Sequence, residues 1–181
     1  RCTMRDRKSM MNKIRWGIVS AGNIANTFAS DIAHAPNAEA VAVAARSGVD
    51  ARAFADRHEI ATAYEGYDAL FTDPGIDAIY VATPHTLHLQ NSADALRSGK
   101  AVLCEKPITT TAAECETLIA IANETGGYLM EAMWTWFLPA IRTAREWVEA
   151  GRIGRLVQIK ADFGYPMAYA PKDRKYDADL A

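Results

Sequence analysis

From residue 14 onward, short apolar runs alternate with longer amphipathic stretches along the chain. Near-continuous apolar runs are typical of strands that are buried on both faces of a parallel sheet. Apolar positions three and four residues apart are typical of helices that bury one face. The pattern predicts strands at residues 14–20, 38–45, 60–64, 77–82, 101–105 and 128–133. It predicts helices between them at residues 21–33, 49–58, 66–71, 86–97 and 111–124.

This alternation of strand and helix over residues 14–133 predicts an α/β fold, a Rossmann-type doubly wound parallel sheet with helices on both faces. The pattern then changes. A further helix is predicted at 139–150, and residues 156–163 alternate apolar with polar positions, as half-buried strands do. We therefore expect residues 134–181 to be the incomplete start of a second, α+β domain.

Composition and charge narrow the classes of partner. The 181 residues are 50% hydrophobic and 23% charged, with a net charge of −2 at pH 7. This balance argues against nucleic acid as a partner, and no apolar stretch approaches the ~20 residues of a membrane span. Three cysteines without a CxxC pair argue against a disulfide scaffold or a metal site. Residues 1–13 lack the apolar region of a signal peptide, so we expect a mobile leader on a cytoplasmic protein.

The first candidate site is the turn GIVSAGNIA at residues 17–25, between the first predicted strand and helix. In the dinucleotide fingerprint GxGxxG/A, one glycine lets the backbone approach a pyrophosphate and the last small residue lets the helix pack on the strand. Gly22 and Ala25 meet these two needs, whereas a serine replaces the first glycine. The alternative is a glycine turn that only connects strand to helix. Together with the free N–H groups of the helix start, the candidates for phosphate binding are Ser20, Gly22, Asn23 and Ile24.

The end of the second predicted strand bears on the choice of cofactor. An NAD site places Asp or Glu there to bind the ribose 2′-hydroxyl, but this chain has Arg46 and Ser47, with no acid until Asp50. A guanidinium can pair with a 2′-phosphate, and the serine can add a hydroxyl. This favours NADP, with NAD still possible. Arg46 is alternatively an ordinary solvated charge.

Polar residues follow the fourth and fifth predicted strands. Ligands of open α/β sheets lie outside the carboxyl ends of the strands, and a lysine at that edge can donate to a substrate oxygen or exchange a proton with it. Alternatively, Lys106 is a solvated strand-end charge, and His85 and His88 lie on an exposed loop or helix face. The candidates are Thr83, Pro84, His85, His88, Glu105 and Lys106.

These motifs together resemble the Gfo/Idh/MocA family of oxidoreductases, and most of all its branch of dimeric dihydrodiol dehydrogenases and NADP-dependent D-xylose dehydrogenases. The Glu-Lys-Pro after a Gly-Lys-x-Val-Leu strand is the most specific part of the resemblance. The matching stretches are RWGIVSAGNIA at 15–25, VAVAARS at 41–47, YVATPHTLH at 80–88, GKAVLCEKP at 99–107 and EAMWTWFLPA at 131–140.

The resemblance implies roles for particular residues. The family's catalytic lysine matches Lys106, and the residue that matches His88 lies by the cofactor and the active site, so Lys106 and His88 are the candidate catalytic residues. Residues that match Thr83, Pro84 and Glu105 line the nicotinamide pocket. Trp134 is implied to lie by the substrate, although it is alternatively a core aromatic residue at a domain junction.

The chain departs from the family in two ways. Trp136 stands where the branch usually has an arginine, which leaves the substrate specificity open. Family members are also longer, and their second domain supplies further active-site residues and commonly a dimer interface. We therefore expect residues 134–181 to begin a substrate and dimerisation domain, and the chain to bind cofactor with little or no turnover.

The resulting functional hypothesis is an NADP-dependent oxidoreductase that moves a hydride between the nicotinamide and a secondary alcohol or ketone of a sugar or cyclic diol. We expect a small-molecule substrate, no nucleic acid or membrane partner, and a homodimer of the full-length protein. The alternative is a nicotinamide-binding module that senses redox state or mediates assembly without catalysis.

Overall fold

The computed structural model describes residues 13–164 together with Pro166 and Tyr169. Its centre is a six-stranded sheet in the order β3-β2-β1-β4-β5-β6, and every neighbouring pair of strands is parallel. The strand order reverses between β1 and β4, which is where open α/β sheets bind their ligands. The strands are β1 (Ile14–Val19), β2 (Ala38–Ala45), β3 (Thr62–Glu65), β4 (Ala78–Val81), β5 (Ala101–Cys104) and β6 (Leu129–Glu131).

Helices connect the strands and cover both faces of the sheet. The predicted doubly wound α/β fold is therefore confirmed, with element ends that differ from the prediction by a few residues. The helices are α1 (Asn23–Ile32), α2 (Gly48–Arg57), α3 (Asp68–Thr72), α4 (His88–Arg97), α5 (Ala112–Thr125) and α6 (Pro139–Glu149). Two short 3₁₀ turns, at His85–Leu87 and Trp134–Phe137, precede α4 and α6.

The core consists of two apolar layers, one on each face of the sheet. On one face, α1 and α2 pack Ala25, Ala29 and Phe54 against β1, β2 and β4. On the other, α3, α4 and α5 contribute Leu70, Leu96 and Leu118. Burial on both faces explains why these strands are apolar at nearly every position.

Local signals in the sequence account for several helix ends. Thr111 accepts a hydrogen bond from the Glu114 amide at 3.2 Å, and Glu114 accepts one from the Thr111 amide, which forms a capping box at the start of α5. Gly126 then ends α5 in the left-handed conformation at φ 64°, where glycine has no steric penalty. Gly99 has the same conformation, φ 77°, after α4.

Two expectations from the hydrophobic pattern are wrong. Residues 156–163 form no strand: Val157 and Ile159 are 81% and 76% exposed, and no described strand pairs with this segment. An alternating pattern produces a strand only where a sheet edge offers hydrogen bonds and an apolar surface to cover. In the helix predicted at 111–124, the spacing of apolar residues also predicts that Ile119 is buried. Ile119 is instead 48% exposed and Ile121 is buried, because α5 turns a slightly different face to the sheet.

The first twelve residues and fifteen of the last seventeen lie outside the described residues. The mobile leader predicted for residues 1–13 and much of the domain predicted for 134–181 therefore stay predictions. Of the second unit, the structure describes the 3₁₀ turn at Trp134–Phe137, helix α6 and the irregular segment that follows.

Candidate functional site at the carboxyl edge of the sheet

The turn from β1 to α1 is the predicted phosphate-binding site. Ser20 has φ 96°, in the region that favours glycine, at the position where the fingerprint has its first glycine. Gly22 is extended and exposed and precedes α1, which has no side-chain cap. The Ser20 hydroxyl accepts a hydrogen bond from the Gly22 amide at 3.3 Å. The amides that begin α1 are therefore without a side-chain cap and available to an anion.

Asn26, in the second turn of α1, connects this loop to the end of α2. Its amide nitrogen donates to the Gly22 carbonyl oxygen at 2.9 Å. Its side-chain oxygen accepts from Arg57 Nη1 at 3.0 Å and from His58 Nε2 at 2.8 Å. Burial, with a smaller contribution from Arg57, lowers the pKa of His58. The sequence pattern did not indicate this link.

A cavity of about 600 Å³ lies between the turn, the end of β2 and α2. Ser47 lies in its wall, but its hydroxyl also caps α2 by accepting from the Asp50 amide at 3.2 Å. Tyr67 closes another side; burial raises the pKa of its hydroxyl, and the charge of Arg46 acts in the opposite direction. The lining residues important here are Ser20, Gly22, Arg46, Ser47, Asp50, Arg57 and Tyr67.

A second, smaller cavity of about 80 Å³ lies where β4 and β5 end. It gathers most of the residues that the sequence placed near the nicotinamide and substrate. Asn23 and Pro84, also predicted, line neither this cavity nor the first. The lining residues are Ile24, Thr83, His85, His88, Glu105, Lys106 and Trp134.

His88 is fully buried at the base of this cavity. Its Nδ1 lies 2.8 Å from the Pro107 carbonyl oxygen and its Nε2 lies 2.9 Å from the Thr83 carbonyl oxygen. Asn91, one turn along α4, adds a bond to the Thr83 hydroxyl at 3.2 Å. Since both ring nitrogens contact backbone carbonyls, the histidine holds the ends of β4 and β5 together.

Glu105 has a fixed orientation at the end of β5. It accepts a hydrogen bond from the Tyr80 hydroxyl at 2.7 Å and one from the Lys106 amide at 3.2 Å. Tyr80 is buried and stacks on Phe28 with 3.8 Å between ring centroids. Burial first, and then the bond to Glu105, raise the pKa of the tyrosine.

Lys106 is half-buried in the wall of the smaller cavity, and its ammonium forms no ion pair within the described part of the chain. The peptide bond that follows it, to Pro107, is cis. Trp134 lies in the same wall but is 52% exposed, so it is not a core residue of the described part. The ammonium is therefore available to an oxygen atom placed in this cavity.

The described residues provide neither a metal site nor a membrane span. Over residues 13–164, no group of three or more His, Cys, Asp and Glu side chains is arranged to bind a metal ion. Nor does any helix in that part of the chain have the length and apolar character to cross a membrane.

Comparison with known proteins then decides the family. Residues 14–133 match the family model GFO_IDH_MocA, described as an oxidoreductase family with an NAD-binding Rossmann fold. The chain belongs to the Gfo/Idh/MocA oxidoreductase family. The resemblance inferred from the motifs is thereby confirmed.

Individual members of the family are similar over most of this chain. Trans-1,2-dihydrobenzene-1,2-diol dehydrogenase of Mus musculus is 43% identical over 161 residues, which are 88% of this chain and 48% of the mouse protein. The Homo sapiens enzyme of that name is 40% identical over the same shares. The chain spans about half the length of the curated relatives it matches.

Solved structures of other oxidoreductases have a similar fold. A 3-ketoreductase from Actinomadura kijaniata, in complex with NADP, is 36% identical with a TM-score of 0.73, over 79% of this chain and 46% of that one. A scyllo-inositol dehydrogenase from Lactobacillus casei is 25% identical with a TM-score of 0.74, over 80% and 44%. The Gfo/Idh/MocA fold therefore accounts for the site-bearing part of this chain.

Proposed function

We propose that this chain is the cofactor-binding part of an NADP-dependent dehydrogenase that acts on the CH–OH group of a sugar or cyclic diol. The observation that carries the proposal is that Lys106, Glu105 and Thr83 share one cavity, with Ile24 in its wall. Ile24 belongs to the turn at residues 17–25, which we call the phosphate turn. Relatives named dihydrodiol dehydrogenase and 3-ketoreductase support this choice of reaction.

The residues present fit a dinucleotide. The start of α1 has no side-chain cap, Gly22 leaves its backbone exposed, and the larger cavity continues from this turn to Arg46. We propose that the turn binds the pyrophosphate and that Arg46 and Ser47 bind the 2′-phosphate of NADP. When bound, NADP supplies the nicotinamide carbon that accepts or returns a hydride.

Lys106 is the proposed catalytic residue. In the oxidation its neutral amine would accept the proton of the substrate hydroxyl as the carbinol carbon gives up its hydride, and in the reduction its ammonium would return that proton to the carbonyl oxygen. Glu105, oriented by Tyr80, and Thr83 would form the wall against the nicotinamide. We propose that Pro84 and His85 border the same ring and that Trp134 contacts the substrate.

His88, which the sequence analysis also placed among the catalytic residues, would act through other groups. Because both of its ring nitrogens contact the carbonyls of Thr83 and Pro107, we propose that it positions Thr83 and, through the Lys106–Pro107 segment, the lysine. For the whole protein we further propose a cytoplasmic location, from the composition and the cysteine content, and a homodimer, as the resemblance implies.

The test is to titrate the purified chain with NADPH and follow the cofactor fluorescence, then assay a trans-dihydrodiol and D-xylose with NADP. Turnover is measured with these 181 residues and with any longer reading frame that contains them. We expect NADPH binding in both, with little or no turnover by the 181 residues alone. In the longer frame, Lys106→Met should lower turnover by about 10²–10⁴-fold with little change in NADPH affinity.

A chain that binds no NADPH would contradict the cofactor assignment. If NADPH binds, but neither the chain nor a longer frame turns over any alcohol or ketone, the protein is a nicotinamide-binding module without catalysis. Turnover that survives in Lys106→Met would refute the proposed role of the lysine alone.

A further inference from the structure

Arg57 is a cationic residue of the larger cavity that the sequence pattern did not single out. It is the last residue of α2, eleven positions after Arg46, yet both line the same cavity as the phosphate turn. The long side chain of Arg57 reaches Asn26 of α1 and in this way borders the cavity that Arg46 lines from the other end of α2. The position of a long side chain at the far end of a helix cannot be derived from spacing alone.

The guanidinium of Arg57 has a fixed position relative to the turn. Asn26 accepts from its Nη1 at 3.0 Å and also donates to the Gly22 carbonyl at 2.9 Å, so a single amide group connects the cation to the turn. A guanidinium has five N–H donors, so this bond leaves donors for an anion. Within the described residues Arg57 forms no ion pair, whereas Arg52 on the same helix lies 3.8 Å from Asp56.

Charge in the cavity wall gives the second argument. Its charged residues are Arg46, Asp50 and Arg57. Arg46 and Asp50 alone would make the wall neutral, and an acid near the ribose favours a 2′-hydroxyl over a 2′-phosphate. With Arg57 the wall has a net charge of +1, which favours the phosphate.

We propose that Arg57, held by Asn26, is a specificity-determining residue that selects the 2′-phosphate of NADP over the 2′-hydroxyl of NAD. This inference rests on the proposed function, since it requires the adenosine end of a dinucleotide to occupy this cavity. In this proposal the amides of the turn bind the pyrophosphate and Arg57 does not, because the amides lie at the start of α1 and Arg57 approaches from α2.

The experiment compares NADPH with NADH, which differ only in the 2′-phosphate, by fluorescence titration of the complete chain. Arg57→Gln should raise the Kd for NADPH about tenfold and change the Kd for NADH by no more than about twofold. This is the expected effect of losing one exposed charge-assisted contact. Arg57→Lys, which keeps the charge, should recover part of the affinity. Arg52→Gln is the matched control on the same helix and should change neither cofactor.

A variant on the acid tests the charge argument in the opposite direction. Asp50→Asn removes the negative charge of the cavity wall. It should therefore increase the affinity for NADPH relative to that for NADH by about threefold or more. Thermal unfolding of each variant, followed by circular dichroism, establishes that the fold is retained.

Each remaining outcome overturns the proposal in a recognisable way. If Arg57→Gln weakens NADPH and NADH equally, the residue acts on the common part of the cofactor or on the fold. If Arg57→Gln changes the affinity for neither cofactor while the wild type prefers NADPH, Arg46 and Ser47 alone determine the preference for NADPH. If the wild type binds neither cofactor, the proposed function fails as well.

Discussion

Two lysines show how different residues of one type can be. Lys100 is 8% exposed, and its ammonium donates to the carbonyl oxygens of Asp73 at 2.6 Å and Ile76 at 2.9 Å. It therefore supports the loop before β4. Lys106, in contrast, faces a cavity and has no ion-pair partner in the described part of the chain. Both belong to the stretch GKAVLCEKP, and nothing in that stretch says which of them is structural.

At this scale we predict that Lys100→Met lowers the free energy of unfolding by about 1–3 kcal/mol, because it leaves two buried carbonyls without their donor. The free energy of unfolding of Lys106→Met should stay within about 0.5 kcal/mol of the wild-type value, as expected for a side chain that makes no such buried hydrogen bonds. Urea unfolding followed by circular dichroism measures both. Equal losses in the two variants would contradict the assignment of separate roles.

Ser20 shows the limit of a sequence fingerprint. The motif predicts a turn here and tolerates a small residue, and the structure confirms the turn. The backbone at φ 96° is nonetheless one that glycine adopts more readily. The hydroxyl offsets part of this strain by accepting from the Gly22 amide, a bond that depends on the folded turn.

At the scale of elements, an ion pair joins the starts of β1 and β4. Asp77 accepts from the Arg15 amide at 2.8 Å, from Arg15 Nε at 3.0 Å and from Nη2 at 2.7 Å. These bonds lower the pKa of Asp77 to about 2, the side-chain bond most and the backbone bond next. The pair aligns the two strands between which the order of the sheet reverses.

We predict that Asp77→Asn destabilises the protein at neutral pH and that the difference disappears in acid. Because the folded pKa is below the ordinary value of 3.8, the stabilisation is present above about pH 4 and is lost between about pH 4 and 2. The side chain is 43% exposed, so solvent screening limits the effect at pH 7 to about 1 kcal/mol. Urea unfolding at several pH values measures it.

The matched control is Asp56→Asn, which removes an exposed partner of Arg52 within one helix. Asp56→Asn should lower the free energy of unfolding at neutral pH by less than Asp77→Asn does, because ion pairs within a helix contribute only a few tenths of a kcal/mol. A stability difference for Asp77→Asn that is constant from pH 7 to pH 2 would show that the aspartate acts by packing and not by its charge.

At the scale of the whole molecule, the two described parts of the chain differ in burial. Residues 14–133 contain two buried layers, whereas α6 has no buried residue. Arg145 lies over the Trp136 ring at 3.8 Å, so the contacts of this part are mainly local. Its apolar side chains include Trp136, Trp147, Val157, Ile159 and Phe163, each at least 45% exposed.

We predict that amide hydrogens of residues 156–163 exchange with solvent within seconds in this chain, whereas those of β4 and β5 are protected to near the global stability. Segments with few buried contacts and no ladder open locally at little cost. Hydrogen–deuterium exchange with mass spectrometry on the 181 residues gives the comparison. Strong protection of 156–163 would show that this segment pairs with a strand after all.

Most of the sheet could be predicted because its strands are buried on both faces. A strand such as β4, buried at every position, needs no information about its neighbours to be recognised as apolar. The prediction of a strand at 156–163 failed because an alternating segment forms a strand only beside a partner strand, and the sequence pattern does not show whether one is present. The family could also be predicted, since Glu-Lys-Pro and the phosphate turn are each contiguous in the chain.

The amino-acid sequence alone determined the class of fold, the position of the turn at residues 17–25 and the family, because these depend on short-range periodicity and on residues close together in the chain. Only the tertiary structure decided that His88 faces two carbonyls and that Lys100 is buried. The same holds for Arg57, which reaches Asn26 across thirty-one positions. The physical reason is that hydrogen bonds and charge pairs act over a few ångströms in space, whatever the separation along the chain.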